Sequence, residues 1–202
     1  MNYPSKKHCS YIGMAASAMI FICWFISAVL DGEWVLGDSA LSNLGVSDSL
    51  LGSIFFSWGI CIVPGFLWII ECISIYRTED GVSRKYALVT IYAMVWLIGV
   101  GFVDQRFGLV HRYTAFTFMF IMAAGILLAL RSGFFIRRRI YIRLTQVMFV
   151  VLAVMCFTIP FVIYEPTAIA FVALWAGMLA YAYGDSDGKE YRQPTTILKH
   201  KH

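Results

Sequence analysis

Six stretches of this chain are each long and apolar enough to cross a bilayer, and no other feature narrows the fold so sharply. They run at about 11–30, 50–76, 86–103, 109–130, 144–164 and 167–183. A spanning helix needs roughly 20 mostly apolar residues. No water satisfies backbone groups within hydrocarbon, so such stretches close their hydrogen bonds internally, as helices. The expected fold is all-α: a polytopic membrane protein with six transmembrane helices in one bundle (1–183), then a polar tail over 184–202. Composition agrees, with 60% hydrophobic and only 14% charged residues. A soluble fold of this size cannot hide that much apolar surface from water.

Orientation follows from Lys and Arg, which gather on the cytoplasmic side of short loops. With the N-terminus inside, every one of the 16 Lys and Arg residues except Arg106 and Arg112 falls inside. Both termini, the basic loop around Arg137, Arg138 and Arg139, and the tail with Lys189, Arg192, Pro194, Lys199, His200, Lys201 and His202 are then cytoplasmic. The expected location is the cell membrane, and the expected partner is membrane lipid. The net charge of +4 does not point to nucleic acid, because the basic residues sort by membrane side. Lys6 and Lys7 precede an apolar run as in a signal peptide, but the run is too long and no A-x-A site follows. Trp34, Tyr113 and Tyr164 sit near the outer boundary, as in an aromatic belt. The cysteines show neither metal spacing nor outer-side pairing and read as packing residues.

Small residues four apart let helix backbones approach closely. Gly13 with Ser17, Ala173 with Gly177, and Ala176 with Ala180 are such pairs. Pro64 in the second stretch and Pro160 in the fifth predict kinks. Paired broken helices can mark a transport site, but these two prolines lie at different depths, which favours plain packing kinks.

Chemistry is sought at the outer connections. In the first, Asp38 is placed to cap a short helix ending near Leu44, with Gly45 as a left-handed stop. Ser47 or Asp48 then caps the second span. Leu41 and Leu44 bury into the bundle mouth, and Ser42 and Asn43 offer polar groups there. In the second outer connection, Asp104 sits at a helix C-terminus, where the macrodipole disfavours an anion, so Arg106 or Arg112 is expected to pair with it. His111 opens the fourth span, and an ionisable residue at membrane depth defaults to a functional hypothesis. Asp104, His111 and Ser42 together hold a carboxylate, an imidazole and a hydroxyl, the ingredients of acyl transfer or hydrolysis. Asn43, Arg112 and Asp38 are the candidate ligand-binding groups beside them. The plain alternative is that all of these are caps and turn formers.

Several chemistries find no support. Bis-histidine haem needs two intramembrane histidines, zinc wants three or four ligands, and no Walker-type loop occurs. No metal and no cofactor is expected. Glu71, near the inner end of the second span, is expected to snorkel or pair with Arg77.

The stretch Ala40-Leu-Ser-Asn-Leu-Gly45 resembles the Leu-Ser-Asp-Leu-Gly signature of a six-helix membrane family, domain of unknown function 998. Gly99-Val-Gly-Phe-Val, followed by His111 and Ala115, is similar to that family's glycine-rich helix end and its His-x-x-x-Ala pattern. Asn43 stands where the family pattern has aspartate. The family is distantly similar to the Frag1/DRAM/Sfk1 group, which is linked to lipid handling. The resemblance implies six helices and, by analogy, a lipid-related role. The expected function is to bind or process a lipid at the outer mouth; a small transporter, or a structural partner subunit without catalysis, is the alternative.

Overall fold

A computed structural model describes residues 5–136 and 138–188, the side chains of 136, 187 and 188 excepted. Arg137 and the tail residues Lys189, Arg192, Pro194, Lys199, His200, Lys201 and His202 lie outside the described residues. Six helices are long and apolar enough to cross a membrane: α1 (Lys6–Asp31), α2 (Leu50–Thr78), α3 (Gly81–Phe102), α4 (Leu109–Ala129), α5 (Arg139–Thr158) and α6 (Phe161–Gly184). Tight 3-10 turns at Leu41–Val46, Gln105–Phe107 and Asp185–Gly188, and one helical turn at Gly133–Ile136, fill the connections. Among the described residues there is no strand, only a single bridge from Leu36 to Ser39. The Ser5 hydroxyl caps α1 by accepting the His8 amide. Gly32, at φ 76°, ends that helix in a left-handed conformation that costs a glycine nothing.

α1 and α6 run antiparallel along a seam of small residues. A Cβ added to Gly13 would come within 2.9 Å of the Ala180 Cβ, and one added to Gly177 within 3.4 Å of Ser17. The small pairs legible in the sequence thus meet one another across this seam, where close backbone approach supplies the packing. At the terminal end of the bundle, Lys6 pairs with Glu79 at 2.7 Å. There the Tyr183 hydroxyl also lies 2.8 Å from both Ser74 and Thr78, and Arg138 pairs with Asp185. Both ends of the described chain therefore sit at one end of the bundle; the opposite end, carrying the Leu41–Val46 turn, is the mouth end. Tyr183, in the last turn of α6, is buried.

Three expectations need correction. Pro160 does not kink the fifth helix but separates two helices: α5 stops at Thr158, Ile159 is extended, and Pro160 leads into α6. The steric clash between proline and the preceding residue drives that residue out of the helical region. Pro166, expected in the connection, lies inside α6. Glu165 is thereby moved from a loop onto a helix. The Pro64 break is real but takes the form of a wide π turn over Phe55–Ile62, in which the Val63 amide reaches back to the Trp58 carbonyl. Proline removes one helical donor and crowds the preceding turn, and a widened turn relieves both. Glu71, lastly, does not snorkel. It is 3% exposed, and its Oε1 lacks a hydrogen-bond partner.

Candidate functional site

The mouth end holds a cavity of about 420 Å³ bounded by α1, α2, α3, α4, α6 and the Leu41–Val46 turn. Leu41 and Leu44 are buried and anchor the turn in the bundle. Apolar side chains, among them Ile20, Phe56, Ile60 and Leu97, form most of the wall. The polar groups Ser42, Gln105, His111, Arg112 and Glu165 also line it.

Ser42 is 3% exposed. Its hydroxyl donates to Glu165 Oε2 at 3.2 Å, and its amide donates to the same oxygen at 3.3 Å. The first amides of any helix lack partners within it, so Glu165 serves as a cap delivered from another helix. Gln105 Nε2 donates to the Ser42 hydroxyl oxygen at 3.4 Å. His111 is 4% exposed, and its Nδ1 lies 2.6 Å from the Val103 carbonyl, an orphan acceptor at the end of α3. A carbonyl only accepts, so Nδ1 carries a proton, and the tautomer with Nε2 unprotonated presents a lone pair there. His111 and Glu165 line the same cavity. The arrangement offers a hydroxyl already held by a carboxylate, with an amide and an imidazole beside it. Such a set can donate to and accept from a hydroxyl or ester group and can move a proton at it.

Of the six site residues picked from sequence, the structure brings three to this cavity: Ser42, His111 and Arg112. Arg112 is largely exposed and sits at the lip. Asp104 is not in the wall. It caps the Gln105–Phe107 turn and is bound by Arg106 through the amide at 2.9 Å and the guanidinium at 2.6 and 3.0 Å. The Arg106 guanidinium beside Asp104 holds its carboxyl below the usual carboxylate range. Asp38 is exposed and caps nothing: the turn begins after Ala40 with no side-chain cap, and Trp34 Nε1 donates to the Ala40 carbonyl at 2.8 Å instead. Asn43 is exposed as well. Gly45 has no positive φ; a Cβ there would meet the Phe56 ring at 2.9 Å, so close packing, not backbone freedom, asks for glycine. The cap of α2 is Ser49, which accepts the Gly52 amide, while Ser47 accepts the Ser49 amide at 3.1 Å.

Glu165 and Gln105 were not picked from sequence. For Glu165 a signal existed: had Pro160 been read as a helix start, Glu165 would have stood out as an acid inside an apolar helix. Gln105 carries no comparable signal. Among the described residues no group of three His, Cys, Asp or Glu is placed to hold a metal ion. No family model, curated protein or solved structure matches this chain.

Proposed function

We propose that this chain is a multi-pass protein of the cell membrane that binds a membrane lipid at its outer mouth and is equipped to process it. The carrying observation is one cavity with an apolar body and a polar cluster of Ser42, Gln105, His111, Arg112 and Glu165. Such a pocket fits an amphiphile, because apolar walls take the tail while a few placed polar groups fix the head. The Ala40–Gly45 stretch that resembles the domain of unknown function 998 signature contributes Leu41 and Ser42 to this wall, which supports the lipid reading. The basic residues Lys6, Lys7, Arg84, Lys85, Arg138, Arg139 and Arg143 favour a cytoplasmic terminal end. A reporter fused to the tail should accordingly stay inside.

Native mass spectrometry of the chain in a gentle membrane extract tests the reading. Wild type should carry a copurifying lipid, and Glu165→Ala and His111→Ala should each carry much less at unchanged helix content. Equal lipid in both variants and wild type would sink it.

One observation favours a second reading, a small transporter: the wide π turn ahead of Pro64 lines the same cavity through Phe56, Ile60 and Cys61, and interrupted helices recur at transport sites. Cysteines placed along α2 near Pro64 would then react with a water-soluble thiol reagent. Uniform lack of reaction would remove this alternative.

A further inference from the structure

A second cavity, of about 240 Å³, lies between α4, α5 and α6. It shares Phe116, Phe118, Met119, Ile169 and Val172 with the polar-lipped cavity, so the two adjoin along these side chains. It has almost no polar lining: Cys156 and Tyr164 are its least apolar residues. The groove exists because α5 stands off from the bundle. Only Thr145 of α5 is buried, and its main packing is on α6, so the space beside α4 stays unfilled. Phe120 and Phe157, 75% and 91% exposed, belong to its lining and open it to the side. From Cys156 to Phe149 the lining descends about 10 Å along α5, at about 1.5 Å per residue.

Resting on the lipid reading above, we propose that this groove holds the acyl chain of the lipid whose head occupies the polar cavity, and that the chain enters sideways from the bilayer between α4 and α5. The head it serves is an uncharged, hydroxyl-bearing one, as in an acylglycerol. The polar cluster sets one carboxylate, already bonded by Ser42, against the single exposed guanidinium of Arg112, which leaves no surplus of cations for a phosphate. Gln105 and Arg112 donate to a glycerol oxygen, and Glu165 and His111 accept from its hydroxyls. Transfer of a chain from bilayer to groove gains nothing from the hydrophobic effect, since both are equally apolar. Selection therefore comes from fit and from what blocks the groove.

The test uses the full chain in detergent with an equimolar mixture of monolauroylglycerol and mono-oleoylglycerol, read by native mass spectrometry. Wild type should hold both. Ala123→Trp and Ala153→Trp fill the groove from its two opposite walls. Each should lower the oleoyl-to-lauroyl ratio at least tenfold while lauroyl binding persists. Glu165→Ala, which removes the head contact, should lose both lipids. A loss of both in Glu165→Ala with an unchanged ratio in the two tryptophan variants would overturn the groove proposal and leave the head site standing. Full retention of both lipids by Glu165→Ala would overturn the head site, and the groove proposal with it. Dimer loss in the tryptophan variants with an unchanged ratio would assign the groove to a second copy of this chain and overturn the proposal too. On the unmutated chain, Cys156 is the one exposed cysteine among the described residues. Mono-oleoylglycerol should slow its maleimide labelling and free glycerol should not; equal labelling rates with and without the lipid would count against the groove even if a tryptophan variant failed to fold.

Discussion

α1 and α5 each hold an 18-residue window of the same mean hydropathy, 2.1, yet 33% of that window is buried in α1 and 6% in α5. Hydropathy thus reports that a helix can live in lipid and says nothing of whether it packs against protein. The difference lies in the small residues. α1 presents Gly13, Ala16, Ser17, Cys23 and Ser27 as one buried stripe, and α6 answers with Ala173, Ala176 and Ala180. α5 offers Val147, Val150, Val151 and Val154 outward instead. Where lipid tails are as apolar as leucine, helices join where backbones can approach, not where side chains are most greasy.

The sharpest way to break this contrast is Gly13→Leu. The new side chain has to enter space held by Glu71 and Ala180, and overpacking of this kind should cost about 3 kcal/mol or more, read as thermal unfolding in detergent. Its counterpart on α5, Val147→Leu at a residue 61% exposed, should stay within about 0.5 kcal/mol. Equal losses would mean α5 is as tightly packed as α1.

Next in size is the contact between the mouth turn and α6. Glu165→Ala leaves the Ser42 amide and hydroxyl without their acceptor, at about 2 kcal/mol for a buried polar group stranded in this way. Faster amide exchange over Leu41–Val46 should accompany the loss. A drop in melting temperature without that local exchange would place the effect elsewhere.

A smaller effect is expected at Thr145, the buried residue of α5. Its hydroxyl donates only to the Tyr141 carbonyl of its own helix at 2.7 Å, so Thr145→Val should change stability by less than about 1 kcal/mol. A cost matching that of Gly13→Leu would move α5 into the core.

The smallest effect is acid-dependent. Because the Asp104 carboxyl titrates below its ordinary range, its pairing with Arg106 stabilises the fold fully above the unfolded value of about 3.9. That contribution is lost as pH falls through the lower folded value. Melting followed into this acid range should show a shallow decline in wild type that Asp104→Asn lacks. Parallel curves would show that the pair contributes nothing measurable.

The candidate site was partly legible in advance for a physical reason. Ser42 and His111 could be picked because each breaks an apolar or turn pattern in its own neighbourhood. Glu165 could not be joined to Ser42, since 123 residues separate them and only the folding of α6 beside the mouth turn brings them together. Asp38 and Asp104 were overvalued because local spacing allows a cap or a catalytic acid equally well. That Asp38 stays exposed while Asp104 is bound by Arg106 depends on where the turns settle.

By itself the sequence determined how many helices can cross a membrane and which small-residue pairs the first and the last carry. Each of these depends on residues close along the chain: apolar runs force internal hydrogen bonding, and residues four apart share one helix face. Tertiary structure alone decided that Pro160 divides two helices while Pro166 is absorbed by one, that α5 stands apart, and that a carboxylate from α6 closes the mouth. Those outcomes turn on competition between distant surfaces for the same space, which no local pattern encodes.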